Sequence, residues 1–591
     1  MKVLRQYAGS HLAARFFLCC WLACSCLPAA LARELSNQPE EATGWKEKPS
    51  AYARHFMAVT ANAYATDAAV EILALGGAAV DAAIAAQLVL NLVEPQSSGI
   101  GGGGFMLHYD AAKRRIAAYD GRETAPRSAK TERFLAPDGK PLGFYEAVAS
   151  GNSVGVPGLV ALLALAHEKH GRLRWERLIR PTIRLAVDGF VVSARLHQLL
   201  AHDHFLKDDA HARALYYQAD GTPLPVGTRL SNPAFAATLR RLAEDGPQAF
   251  YRGEIAQDVI AAVAAHPKVA GDLAMEDFAA YRALEREPIC GRYRGYRICG
   301  MPPPSAGGIS MLQLLGLLER TPFAKLPRGS PQAVHLFAEA GRLAFADRRR
   351  YLGDPDFVAV PSRALLDGRY LDARARLISA ERSMGSAQPG KIGRAPTFVD
   401  DTAPELPSTT HLSIVDAAGN AVALTSSIES AFGSRIQARG FLLNNQLTDF
   451  SFLPSQGGFP AANRVEAGKR PLSSMAPTLV FDSRGQLYAV LGSPGGSQIP
   501  NYVAQTLTAL LDGKLAPDAA LALAHYGSRN GPTELEPGGA AGALAVGLER
   551  LGHRVEMREM TSGLHLIVRT QTGQGWIGAA DPRREGAARG D

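Results

Sequence analysis

Between about Ala53 and Ala380 the apolar residues recur mainly at helical spacing, with shorter strand-like runs interleaved. "TDAAVEILALGG" and "AAVDAAIAAQLVLNLVEP" read as two Ala-rich helices split by Gly76-Gly77. "SPQAVHLFAEAGRLAFADRRRYLGDPDF" reads as another, ended by Gly353 and Pro355. Residues 383–408, "SMGSAQPGKIGRAPTFVDDTAPELPS", keep no period, which predicts an exposed linker. Beyond it the period becomes two. "THLSIVD" and "AVALTSS" flank "AAGN", and "APTLVFD" and "QLYAVLG" flank "SRG", giving two hairpins with short Gly-containing loops. Their strands are nearly all apolar and so buried on both faces, as in sheet layers covered by helices on both sides.

The first 32 residues break this pattern. Lys2, Arg5 and Arg15 precede the uncharged run "FFLCCWLACSCLPAALA", which closes on Ala30-Leu31-Ala32. That order predicts an export signal cut near Ala32. The alternatives are a membrane anchor, for which the run is short and broken by Pro28, or a lipid on Cys24 or Cys26. The segment holds three of the 63 basic residues and no acid, so its removal leaves 60 against 56, a net charge of +4. Spread over so long a chain, that charge points to no nucleic-acid partner. The mature protein is expected outside the cytoplasm, without stable membrane insertion.

Of the six cysteines only Cys290 and Cys299, in "EPICGRYRGYRICG", lie beyond the segment. A hairpin turning on Arg294-Gly295 sets them opposite each other, at a spacing a disulfide can bridge. Two thiols without further ligands nearby are a poor zinc site.

Three stretches carry candidate chemistry. "GIGGGG", residues 99–104, satisfies G-x-G-x-x-G but is followed by the strand-like "FMLHYD" rather than a helix, so it reads as a turn letting backbone approach a small ligand. "GNSVG", residues 151–155, matches the serine-hydrolase elbow, but Pro157-Gly158 separates Ser153 from the following helix. The third is Ser408-Thr409-Thr410, where linker becomes strand. A threonine hydroxyl needs a base beside it, and the α-amine of its own residue can serve once the bond before it is cut. Two threonines opening a strand need no such explanation by themselves. If "AAGN" closes the first hairpin, Thr409 falls opposite residue 427 or 428, within reach of Ser427. In the second hairpin, pairing Asp482 with Gln486 brings Ser473-Ser474 toward Gly495-Gly496. Hydroxyls beside free backbone N–H groups suit a carboxylate pocket next to an oxyanion hole.

Taken together, "VEPQSSGIGGGGFMLHYD", "YDGRETAP", "SVGVPG", "MPPPSAGG", "EAGRLAFADRRRYLGDPDF", "TTHLSIVD", "SIESAFGSR", "LLNNQLTDFS", "GKRPLSSMAPTLVF", "GSPGG" and "AADPRR" resemble the γ-glutamyltranspeptidase (glutathione hydrolase) family, in order and over nearly the whole mature chain. The resemblance implies an N-terminal-nucleophile hydrolase with an αββα sandwich. With the export signal at 1–32 set aside, it implies a large subunit at 33–408 and a small catalytic subunit at 409–591, cut from one precursor at Ser408-Thr409. Thr409 would be the nucleophile and Ser427 its support, standing where the family usually has a second threonine. Arg122, Ser473 and Ser474 would hold the donor's α-carboxylate, and Glu429, Gln446 and Asp449 its α-ammonium. The N–H groups of Gly495 and Gly496 would form the oxyanion hole. The implied reaction moves a γ-glutamyl group from glutathione or other γ-glutamyl compounds to water, amino acids or peptides, with no metal or organic cofactor.

Two departures bear on the substrate. Only "LPSQGGFPAANRVEAG" lies between Phe452 and Lys469, too short for the lid some members have, and "HYGSRNGPTELE" replaces the frequent "PR-x-HHQ". Acylases of glutaryl β-lactam side chains and poly-γ-glutamate depolymerases share much of the pattern and are the enzymatic alternatives. A serine hydrolase using Ser153 and an inactive secreted binding protein are the remaining ones.

Overall fold

The computed structural model describes residues 42–393, 396–403, 406 and 408–591, so the expected export signal lies outside the described residues. Two seven-stranded sheets form the centre. The first runs, edge to edge, β14 (Ala587–Gly590), β2 (Met57–Thr60), β8 (Thr410–Val415), β9 (Ala421–Ser427), β3 (Gly103–Asp110), β4 (Arg115–Gly121) and β5 (Leu284–Arg286). The second runs β1 (Ala51–Ala53), β13 (Trp576–Ala580), β12 (His565–Arg569), β11 (Leu487–Gly492), β10 (Thr478–Phe481), β7 (Tyr296–Gly300) and β6 (Ile289–Tyr293). The sheets stack face to face. Helices α1 (Ala63–Ala74), α2 (Ala79–Val93) and α3 (Leu159–His170) cover the first, and α4 (Gly307–Glu319) and α6 (Ile499–Leu511) cover the second, with α5 (Pro331–Tyr351) packed against α4. This is a four-layer αββα sandwich.

The strand pattern explains the layering. In β8, Leu412 and Ile414 join the core beneath the helices, while Val415 joins the core between the sheets. In β9, Val422 and Leu424 do the first, and Ala421 and Ala423 the second. A period of two with both faces apolar can be satisfied only in an inner layer. The His411 ring sits between the sheets, bonded to the Thr425 and Ser413 hydroxyls at 2.8 and 3.1 Å. Gly492 on the facing sheet makes room for it, since a Cβ there would lie 2.3 Å from the ring.

Local signals hold. Gly76, at φ 81°, separates α1 from α2, and the Ser330 hydroxyl caps α5. Both hairpins form, as does the third, in which Cys290 lies opposite Cys299 and the two are disulfide-bonded. Residues 383–408 form no helix or strand among the described residues, yet they are not uniformly exposed: Ala387, Phe398 and Asp401 are buried. No helix of the described residues is long and apolar enough to cross a membrane.

Candidate active site

Thr409 stands just before β8 and is buried. Pairing of Thr410 with Ser426 carries Ser427 to its side, as the turn predicts. The carbonyl oxygen of Ser408 accepts two hydrogen bonds, from the Thr409 hydroxyl at 2.5 Å and from the Ser427 hydroxyl at 2.7 Å. The Glu429 N–H in turn donates to the Ser427 oxygen at 2.8 Å, fixing that hydroxyl. The junction is gripped on both sides. Arg584 Nη1 donates to the Thr409 carbonyl at 3.1 Å, the Thr410 hydroxyl to Glu94 at 3.2 Å, and the Ser408 hydroxyl to the Gln96 carbonyl at 2.8 Å. Such geometry can do specific chemistry. Attack by Thr409 Oγ1 on the Ser408 carbonyl carbon closes a five-membered ring, with Ser427 polarising the carbonyl. Collapse breaks the peptide C–N bond, which frees the Thr409 amine and leaves an ester on its hydroxyl, and hydrolysis of that ester releases the Thr409 hydroxyl and the Ser408 carboxylate.

Across the same cavity lies a charged cluster. Arg122 follows β4 and is fully buried; its Nε donates to the Pro471 carbonyl at 3.1 Å and its Nη2 to that of Leu472 at 2.7 Å. Nη2 also pairs with Asp449. Gln446 and Asp449 begin and end one 3₁₀ turn, and this i, i+3 spacing lets Gln446 Nε2 donate to Asp449 at 2.9 Å. Glu429, bonded by Ser430 and Asn445, holds φ at 78°, a left-handed backbone that is uncommon for a non-glycine residue and clusters at functional sites. Burial pushes the Glu429 carboxyl up to about 8, reinforced by the neighbouring Asp449 charge. Burial also raises Asp449, against the opposing pull of Arg122. Beside them burial lifts Glu123 to about 8, and neither of its carboxyl oxygens finds a hydrogen-bond partner among the described residues.

Ser473 and Ser474 reach the cavity differently from the sequence expectation. The ladder of β10 and β11 shifts by one residue between Val480 and Phe481 and ends at Thr478. Ser473 bridges to Ser305 instead of continuing opposite Gly495. The Ser474 hydroxyl accepts from Arg348 Nη2 at 3.1 Å. Gly495 and Gly496, at φ 131° and 55°, make the turn from β11 toward α6. The cavity encloses about 30 Å³ and is lined by Arg122, Thr409, Ser427, Glu429, Gln446, Asp449, Ser473, Ser474 and Gly496, with Leu406 and Ser408 of the upstream segment filling one side. Gly495 adjoins this lining without being part of it.

The two remaining motifs have structural roles. The Ser153 hydroxyl donates to the carbonyls of Val148 and Ser150 at 2.8 Å each, inside a buried 3₁₀ turn. It is not a nucleophile elbow. Gly101, Gly102 and Gly103 admit protein backbone rather than a small ligand: added Cβ atoms would lie 2.3, 2.2 and 2.4 Å from the carbonyls of Leu442, Ser427 and Gly121. Glu94, Gln96, Glu123, Arg348 and Arg584 were not singled out from the sequence. All five lie within quoted motifs, but nothing local distinguishes them from structural residues.

A threonine at a chain junction, set at the end of a central strand of an αββα sandwich, defines an N-terminal-nucleophile hydrolase. The profile of the family described as Gamma-glutamyltranspeptidase matches residues 65–590, and the chain belongs to that family. It is 38% identical over 547 residues to the glutathione hydrolase proenzyme of Escherichia coli (strain K12), covering 90% of this chain and 91% of that one. With the glutathione hydrolase proenzyme of Bacillus subtilis (strain 168) it shares 37% over 466 residues, covering 76% and 77%. Among solved structures, the cephalosporin acylase from Bacillus halodurans superposes with a TM-score of 0.79 at 27% identity, over 94% of this chain and 99% of that one.

Proposed function

We propose that this protein transfers the γ-glutamyl group of glutathione and other γ-glutamyl amides to water, amino acids or peptides. Thr409 is the nucleophile, freed by cleavage at Ser408-Thr409 into a large subunit, 33–408, and a small one, 409–591. Attack on the γ-carbonyl gives a γ-glutamyl ester, whose oxyanion the Gly495 and Gly496 N–H groups hold. Arg122 with Ser473 and Ser474 takes the α-carboxylate, and Glu429, Gln446 and Asp449 take the α-ammonium. The observation that carries this reading is the buried acidic pair beside Arg122 in the cavity that Thr409 enters. Burial and the Asp449 charge hold the Glu429 carboxyl up, and a substrate ammonium placed beside it stabilises its charged form. A glutaryl side chain has none, which favours the γ-glutamyl donor over the acylase alternative. The test is turnover of a γ-glutamyl anilide beside its glutaryl analogue. Preference for the glutaryl compound would overturn the donor assignment.

The reading places the enzyme outside the cytoplasm, supported by the charged and apolar order of residues 1–32 and by the Cys290–Cys299 disulfide. Fractionation of expressing cells checks this. Activity confined to the cytoplasm would refute it.

A further inference from the structure

Behind the Gly495–Gly496 turn lies an ion-pair network from the segment "HYGSRNGPTELE". Ser497 Oγ accepts from Arg529 Nη1 at 2.7 Å, and Gln498 Nε2 donates to Glu534. Arg529 forks onto Glu534, Nε to one oxygen at 3.1 Å and Nη2 to the other at 2.6 Å. Arg558 Nη1 adds a third arginine hydrogen bond to Glu534 at 3.1 Å. Glu534 is buried, and Arg529 and Arg558 hold its carboxyl below the usual carboxylate range against the cost of burial. The turn is also tied within itself, by the Gln498 N–H to the Gly495 carbonyl at 3.1 Å and by Asn501 to the Gln498 side chain at 2.7 Å. Two consecutive glycines have broad backbone freedom, so the direction of their N–H groups must be imposed from outside. The two residues directly after them are the ones that Arg529 and Glu534 hold.

We propose that Arg529 and Glu534 are positioning residues that aim the Gly495 and Gly496 N–H groups at the oxyanion formed during turnover. This rests on the assignment of those N–H groups under the proposed function. Precursor cleavage draws on a different donor, because the Ser408 carbonyl accepts from the Ser427 hydroxyl while the Thr409 hydroxyl is the attacking group. Self-cleavage and turnover therefore use separate oxyanion supports, and only the second depends on the ion pair.

The experiment compares Arg529→Lys, Glu534→Gln and the milder Ser497→Ala with the wild type, and with Arg554→Ala as an exposed-ion-pair control. Mass spectrometry should find the fragment beginning at Thr409 in every variant. With a γ-glutamyl anilide, kcat should fall about tenfold to a hundredfold for Arg529→Lys and Glu534→Gln, the scale of a misaimed catalytic group, and less for Ser497→Ala. Donor KM should move by less than about twofold. A boronate analogue of the donor, which forms a tetrahedral adduct on Thr409, should lose affinity by the same factor as kcat, while glutamate binds unchanged. Wild-type kcat in all three cleaved variants would overturn the proposal, as would equal losses for boronate and glutamate, which mark general disorder. Uncleaved precursor in Arg529→Lys or Glu534→Gln would overturn the separation of the two supports. A cleaved wild type without γ-glutamyl turnover would instead refute the underlying assignment.

Discussion

Arg122 and Glu429 carry the donor assignment at the scale of single residues. Arg122 spends Nε and Nη2 on two carbonyls and Asp449, so its plane is fixed before any substrate arrives. Arg122→Lys keeps the charge and loses the planar fork. It should cost roughly 1.5–3 kcal/mol, about tenfold to a hundredfold in kcat/KM for a γ-glutamyl anilide. A glutaryl anilide, lacking the α-carboxylate, should suffer far less, and cleavage at Ser408-Thr409 should proceed. Equal losses on both substrates would show that Arg122 does not read the carboxylate. Glu429 predicts a pH dependence. Its carboxyl is pushed up to about 8, whereas binding an ammonium favours the charged form, so donor binding must expel a proton at neutral pH. The kcat/KM for the donor should rise between pH 6 and 8, and Glu429→Gln should flatten that rise. A profile level across this range in the wild type would exclude Glu429 from the ammonium site.

Hairpins and turns set what each element contributes. The Cys290–Cys299 pairing follows from a two-residue turn and strict alternation, both local, which is why the sequence already specifies it. The cross-link spans only nine positions, so Cys290→Ser with Cys299→Ser should cost no more than about 2–3 kcal/mol and lower the thermal midpoint modestly. Loss of folding in the double variant would contradict that estimate. The β10–β11 hairpin shows the limit of such reasoning. Its turn is as expected, with the Asp482 N–H donating to the Gln486 carbonyl at 2.9 Å, yet a one-residue shift two positions on moves every later pairing. A bulge answers to packing against the neighbouring layer and leaves no mark in the local spacing. Gly492 answers to the same packing. Gly492→Ala should drive a methyl into the His411 ring and cost about 1–3 kcal/mol, read as a lower melting temperature. An unchanged midpoint would mean the ring can move aside.

The whole molecule sums several buried carboxyls into one pH-dependent stability. Burial lifts Glu94 to about 7, and Glu123 and Glu429 to about 8, all above their unfolded values. The folded protein thus holds more protons than the unfolded chain at neutral pH. This contribution is complete below the unfolded carboxyl values and is lost as pH rises through 7 to 8. The buried histidines His108, His411, His525, His553 and His565 are depressed and act in the opposite sense, but only below about 6.5, where the unfolded imidazoles charge. Between pH 6.5 and 8 the carboxyls decide the slope, so the thermal midpoint should fall across that window. A γ-glutamyl ligand, by supplying an ammonium to Glu429, should reduce the fall. A midpoint that climbs from pH 6.5 to 8 would contradict the buried cluster.

By itself the sequence determined what depends on near neighbours. Thr409 at a loop-to-strand junction, Ser427 one hairpin away, the disulfide and the buried character of β8 and β9 all follow from spacing, turn residues and periodicity. The family motifs extended this to the αββα layers and to Arg122, Glu429, Gln446 and Asp449. The tertiary structure alone decided which distant groups meet. Arg122 touches Asp449 across 327 positions, and Arg584 reaches the Thr409 carbonyl across 175. Ser473 lies beside Ser305 rather than opposite Gly495, and Arg529 and Glu534 stand behind the glycine turn. Such meetings depend on the order of strands in two sheets and on the layers that cover them. The raised carboxyls depend on the same burial, a property of the packed molecule that no short stretch of chain encodes.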